Sequence, residues 1–412
     1  MPAKIGGTMI RSWFGHARTK RPTEGRPRPA ARPARRSIAV AIGVTTAAYV
    51  LLAVPFRAAP ADGATRCTGV HLHPGASIQN AIRSRPGGTT FCLADGKYTT
   101  NVVLTPKNGD RFIGVYRDGS RPNVASTGAG GVFKGGKNVV IRGLGIGPST
   151  NSGVAPGTGS TIRNDRIHGN RMCGIATAAN HLTIVGNEID HNGTLSNQGR
   201  ACSGAVNLHG VQGKDAGAYN VVSSNTIHDN AGHGLHVDCD GHDNTFSGNR
   251  VFRNAGVALL DETSYHDRFA KNVIHHNGFG WSLYAIGIVD SIGTTVSGNT
   301  VTHNYRAVNL WADRRANLRT PKIGLGCADV RLTGYHPSNI TVSRNRFSLP
   351  QRAGFAPSGA VPLSAAQFDY NCWGGAVAGT NWRLPSDATA TWAQWRGAGQ
   401  DRHGRTQRLP CG

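Results

Sequence analysis

The chain is 412 residues long, with 56 glycines, 7% aromatic residues and a formal charge of +23. Abundant Gly with few aromatics and no collagen period argues against a helical globule and for many short strands joined by tight corners. The length admits two ordinary domains or one elongated repeat domain, because repeat folds grow in one dimension.

The charge is unevenly spread. Residues 1–36 hold ten Lys/Arg against Glu24 alone, and such a tail cannot bury a core. The uncharged run Ile38–Val54 follows, then Pro55 and Ala59-Pro60-Ala61, so residues 37–55 read as a signal peptide or a membrane anchor, with cleavage and retention both open. The basic flank then serves to hold the N-terminus on the cytoplasmic side, which leaves nucleic acid without a role as partner. All eight cysteines lie beyond this run, as expected of a secreted or cell-surface domain oxidised after export, and the lack of a Cys-x-x-Cys pair argues against a zinc ribbon.

In chain order, Ala76–Arg83 predicts a short helix and Thr89–Leu93 a strand, together a cap over the open end of a strand stack, tied by Cys67–Cys92. From Asn138 a pattern of apolar-x-x-Asn-x-apolar-x-x-Asn recurs, its first Asn at 187, 225, 249, 272 and 299, with Asp165 and Asn345 in equivalent places. Intervals in the low twenties with two or three short strands each mark a solenoid, in which no repeat buries its own apolar face and neighbours must stack as a parallel coil. The recurrent Asn suits a left-handed corner, with its amide bonding its counterpart one coil away. Trp373, Trp382, Trp392 and Trp395 cluster near the C-terminus, where Trp392 and Trp395 predict a short helix packed over the last coil. The expected organisation is a tail (1–36), a signal or anchor (37–55), a β-helix (66–383) and a C-terminal cap (384–412).

These features resemble the right-handed parallel β-helix proteins, the superfamily of pectate lyases, polygalacturonases and alginate-modifying enzymes. The resemblance covers about residues 70–380, is carried by Ile78-Gln-Asn-Ala-Ile, Phe91-Cys-Leu-Ala-Asp-Gly-Lys-Tyr98 and the Asn corners, and implies fold more than activity. Gly234-Leu-His-Val-Asp-Cys-Asp240 and Asp261-Glu-Thr-Ser-Tyr265 are also similar to a paired motif in a subset of these proteins, Gly-Leu-Trp-x-Asp-x-Asp/Asn and His-Glu-Ile-Ser-Tyr. His236 and Asp261 depart from it.

Strand alternation supplies the candidate site. Taking Val206/Leu208, Leu235/Val237, Val257/Leu259, Ile286/Ile288 and Val308/Leu310 as inward pairs turns Asn207, His209, His236, Asp238, Asn309 and Trp311 outward. It also places Asp240, Glu262, Ser291 and Asp313 in one column. His209 then stacks over Asp238, gathering carboxylates and imidazoles on one face. Like charges so close need a shared proton, a cation or a cationic partner. Asp238 and Glu262 are the candidate catalytic carboxylates, with His209, His236 and Tyr265 assisting; Asp238, Asp240 and Glu262 form a candidate Ca²⁺ set. Asn207, Asn309, Trp311 and Arg306 are the candidate substrate-binding residues. His168, His191, His228, His275, His276 and His303 precede corner Asn residues and read as a periodic exterior row. Register predicts Cys173–Cys202 and Cys327–Cys372 disulfides and a buried free thiol at Cys239.

Subtracting the tail's +9 from +23 leaves about +14 for the remainder, which points to an acidic glycan. The expected protein is a monomer that binds and cleaves a polysaccharide as a lyase or glycoside hydrolase, or a non-catalytic surface module that binds glycan or protein.

Overall fold

A computed structural model describes residues 66–116, 120–194, 204–210, 215–279, 284–312, 337–348, 355–358, 361–375, 382–383, 388–409 and 411. The basic tail and the 38–54 segment lie outside these residues. Among the described residues no helix is long and apolar enough to cross a membrane.

Each coil contributes one short strand to each of three sheets, which hold 12, 12 and 11 strands among the described residues. The first sheet runs from Val70–Leu72 to Ala366–Asp369, the second from Lys97–Thr100 to Arg405–Gln407, and the third from Phe133–Gly135 to Thr389–Ala390. Neighbours pair in parallel, as Thr245–Ser247 does with Arg268–Ala270, whereas Trp382–Arg383 and Thr389–Ala390 pair antiparallel. The expected right-handed parallel β-helix is the observed architecture.

Three-residue strands such as Thr-Phe-Ser and Thr-Val-Ser place one apolar side chain inward between two polar ones. Val222, Phe246, Phe269 and Val296 are accordingly all fully buried in one column, with the Phe246 and Phe269 rings stacked at 4.9 Å. Each such side chain contributes roughly 2 kcal/mol by leaving water, and it does so only because the coil above and the coil below cover it.

The periodic Asn residues form a buried ladder. The backbone N–H and the Nδ2 of Asn225 both donate to Asn249 Oδ1 at 3.0 Å, Asn249 does the same to Asn272 at 2.9 and 3.0 Å, and each amide also donates to a strand carbonyl, as Asn249 does to Val222 at 2.9 Å. A second ladder of the same kind runs through Asn192, Asn230, Asn254 and Asn277. The left-handed backbone falls one residue earlier than expected. Ser224, Lys271, Arg344 and Tyr370 take φ of 54–56°, while the Asn behind each is spent satisfying corner groups that no water reaches.

The caps are as expected in kind. Helix α1 (Ile78–Ser84), capped by Ser77, lays Ile78 and Ile82 on the first coil, and Cys67 is bonded to Cys92. Helix α2 (Trp392–Gly397) starts in a Thr391–Gln394 capping box and buries Trp395 against Phe368, ring centroids 5.4 Å apart. Asp401 ends the ladder, its Oδ1 accepting from Asn371 and its Oδ2 from Trp373 Nε1 at 2.8 Å.

Two cysteine expectations are corrected. Cys372 is bonded to Cys411, not Cys327, because the final strand Arg405–Gln407 returns the chain beside Cys372–Gly374. Cys239 is disulfide-bonded and not a free thiol. Cys173 is also disulfide-bonded; Cys202 and Cys327 lie outside the described residues.

Candidate functional site

The outer face of the third sheet carries the candidate residues on Val206–His209, Leu235–Asp238, Leu259–Glu262, Ile286–Val289 and Val308–Trp311. Asn207 pairs with His236 and His209 with Asp238, as read from alternation. One coil later the register differs by two residues: Leu235 pairs with Leu259 and Val237 with Asp261. Leu259, not Val257, opens the inward set, because it stands five residues beyond Asn254 as Leu235 does beyond Asn230, and the ladder sets the phase. Glu262 therefore joins the column of Asp238, not that of Asp240.

That shift brings the acids closer than the alternation predicted. Ligand-capable atoms of His236, Asp238 and Glu262 all lie within 4.8 Å of one another. His236 Nε2 is 3.0 Å from Glu262 Oε2, and Asn207 Nδ2 lies 3.4 Å from His236 Nδ1; towards an ionised Glu262, which only accepts, His236 donates its Nε2–H. Asp238 Oδ1 accepts from the Thr263 hydroxyl at 3.1 Å. His209 also comes within the same reach of Asp238. His236 and Asp238 are 8% and 7% exposed, so two of the three members are nearly buried. Behind it His233 packs 5.1 Å from His236; burial, reinforced by His236, pushes its pKa well below the ordinary histidine value, and its Nδ1 accepts from the Val257 N–H.

Asp240 and Tyr265 stand outside this cluster. Asp240 sits in the corner after the strand, φ 69°, with its N–H on Thr263 O. Tyr265 stacks on His242 at 4.5 Å, and burial followed by nearby Asp240 and Asp243 pushes its phenol up to about 12, so it stays protonated. The expected Asp238, Asp240 and Glu262 cation set is thus not assembled. The set present, one imidazole and two carboxylates, fits a transition-metal ion better than Ca²⁺, which takes six to eight oxygens. His209, Asp238 and Cys239 also converge, but the Cys239 sulfur is spent in its disulfide.

Further along the face, the Trp311 ring closes on Gly287, its Cζ3 and Cη2 3.1 Å from where a Cβ would stand, and packs against the apolar patch of Val257, Leu260 and Val289. Arg306 donates to the Tyr284 hydroxyl at 2.9 Å with its guanidinium 5.3 Å from that ring. Asn309 is 2% exposed, and its Oδ1 has no hydrogen-bond partner among the described residues. The histidine row is present: His228, Phe252 and His275 stack at 4.9 Å, and His276 on His303 at 5.0 Å.

Two acids that were not among the candidates lie behind the site. Asp261 occupies the inward column between Val237 and Ile288, fully buried, accepting from the Ser264 and Thr294 hydroxyls. Asp267 faces it from the ladder position that Asn244 holds one coil earlier, and burial pushes both carboxyls upward, so the pair retains a proton. Ser264 of the Asp-Glu-Thr-Ser-Tyr stretch is thus a core group.

The chain matches the family described as "Right handed beta helix region" over residues 113–264 and 195–323, together just over half its length. No curated protein matches it. Similar solved structures include the catalytic unit of a GH87 α-1,3-glucanase from Streptomyces thermodiastaticus, with 13% identity over 84% of this chain and 70% of that one and a TM-score of 0.50. The A-module of the Azotobacter vinelandii mannuronan C-5 epimerase AlgE4 is 14% identical over 69% of this chain and 95% of its own, with a TM-score of 0.43. A surface adhesin of Streptococcus pneumoniae, PfbA, is 12% identical over 71% and 91%, with a TM-score of 0.39. At these identities the likeness is one of fold. By its three parallel sheets and the residues matched, the chain belongs to the right-handed β-helix family.

Proposed function

We propose that the protein is exported and cleaves a polysaccharide by acid–base chemistry at Asp238 and Glu262. The observation that carries this reading is the convergence of His236, Asp238 and Glu262 within 4.8 Å on one sheet face, with His236 and Asp238 nearly buried. Carboxyl groups about 5 Å apart serve a retaining glycosidase, whereas an inverting enzyme needs roughly 6.5–9.5 Å to seat its water. Glu262, receiving the His236 Nε2–H, is held as the carboxylate that attacks the anomeric carbon. Asp238 protonates the departing oxygen and then takes a proton from the water that releases the sugar. His236 is a positioning residue that orients Glu262. The disulfides fit an oxidising compartment outside the cytoplasm.

The test is incubation of the full chain with neutral and uronate-containing glycans while new reducing ends and the ultraviolet absorbance of unsaturated uronates are followed. Reducing ends without unsaturation are expected, and Asp238→Ala or Glu262→Ala should each lower the rate at least about a hundredfold. Unsaturated ends would replace hydrolysis by β-elimination. Activity that survives both substitutions would remove the site, and binding without cleavage would make the protein a glycan-binding module.

A further inference from the structure

We infer that the glycan is anionic, and that Arg306, Asn309 and Trp311 form a subsite for a uronate-type sugar beside the carboxylates. This rests on reading the outer face of the third sheet as the glycan site. Its first support is an unneutralised cation. Arg306 is half-buried, its Nη1 bonds only the Tyr284 hydroxyl, its Nε is buried without a partner, and it meets no carboxylate among the described residues. Half-burying a guanidinium beside an aromatic ring costs solvation that a surface Arg keeps, and an ionised ligand restores it.

The second support is independent of charge. Asn309 keeps a buried Oδ1, unpartnered among the described residues, on the same outward column as His236, an acceptor suited to a sugar hydroxyl. Trp311 supplies a plane. Gly287, one rung below Asn309, has no side chain, and the indole lies across that gap toward Leu260. Rungs lie about 4.8 Å apart, so Trp311, two rungs from Glu262 in its column, projects its ring back to roughly one sugar's length from the carboxylates. The apolar face of a pyranose stacks on the indole, its carboxylate meets the fork of Arg306, and a ring hydroxyl donates to Asn309 Oδ1.

The experiment is calorimetric binding to the full-length Glu262→Gln variant of oligogalacturonate, oligomannuronate and hyaluronan oligomers, each against its carboxyl-reduced form. At least one acidic oligomer should bind about tenfold or more tightly than its reduced counterpart. Arg306→Gln should abolish that preference, Arg306→Lys should keep part of it, and added salt should weaken it. Gly287→Ala, whose methyl would crowd both the indole and Leu260 Cδ1 at 3.1 Å and so push on the stacking plane, should weaken both forms alike; circular dichroism checks that each variant is folded. The inference is overturned if no acidic oligomer is preferred over its reduced form, or if Arg306→Gln keeps the preference. Cleavage of a neutral glycan by the wild type would leave the catalytic reading standing and remove this one. An Arg306-dependent preference without cleavage would do the reverse.

Discussion

Replacing Asp165 with Asn should stabilise the protein at neutral pH and do nothing in acid. Asp165 holds a ladder position that is Asn at 187, 225, 249, 272, 299, 345 and 371. Its Oδ1 accepts from the Leu144 N–H at 2.8 Å, but its Oδ2 is buried with no partner among the described residues, and burial pushes the carboxyl from 3.8 up to about 7. A carboxyl whose folded pKa lies above its unfolded value costs nothing while both states are protonated; stability is then lost as pH rises from about 4 to about 7, and the loss is constant beyond. Three units at 1.36 kcal/mol each give about 4 kcal/mol. Asn carries no charge to desolvate, keeps the acceptor for Leu144, and gains an Nδ2 that can donate to Asn187 Oδ1, as Asn187 does to Asn225 at 2.9 Å. Urea unfolding of the variant and the wild type at pH 8 and pH 4 measures the difference. The expected result is a gain approaching about 4 kcal/mol at pH 8 that shrinks to within about 1 kcal/mol at pH 4. An equal difference at both pH values, or a less stable variant at pH 8, would refute the reasoning.

Asn249→Ala should be among the most damaging single changes away from the candidate site. It removes the acceptor of two Asn225 donors and both donors of its own amide, and leaves buried groups unpaired at about 1–3 kcal/mol each, read as a lowered urea midpoint. Asp240→Ala should leave the cleavage rate within about threefold of wild type, because Asp240 stands outside the carboxylate cluster; a loss like that of Glu262→Ala would return it to the site. A chelator should not slow cleavage, since His236 Nε2 already bonds Glu262, and a loss restored by Zn²⁺ or Mn²⁺ would replace the two-carboxylate mechanism with a metal-assisted one.

Much of this was legible in the sequence because a solenoid writes its fold locally. The Asn at 225, 249 and 272 marks one corner per coil, and the apolar residue two places on marks an inward strand, so the coil, its period and its caps need no distant information. His209, His236 and Asp238 could be placed on one face by the same means, since they lie on adjacent strands in simple alternation.

What alternation could not carry was phase across a corner. Gly234-Leu235 and Gly256-Val257 look alike in sequence, yet Leu235 pairs with Leu259, and this two-residue shift, which leaves the inward sense of Asp261 unchanged, set Glu262 beside Asp238. Cys411 reaches Cys372 because the last strand doubles back along the second sheet, and no spacing announces that return. The sequence by itself determined a right-handed parallel β-helix and the face on which its acids collect, because each residue's inside or outside sense depends only on its neighbours along the chain. The tertiary structure alone decided which acids meet and that Arg306 meets no carboxylate among the described residues, because those depend on how corners of unequal length bring separate coils into register.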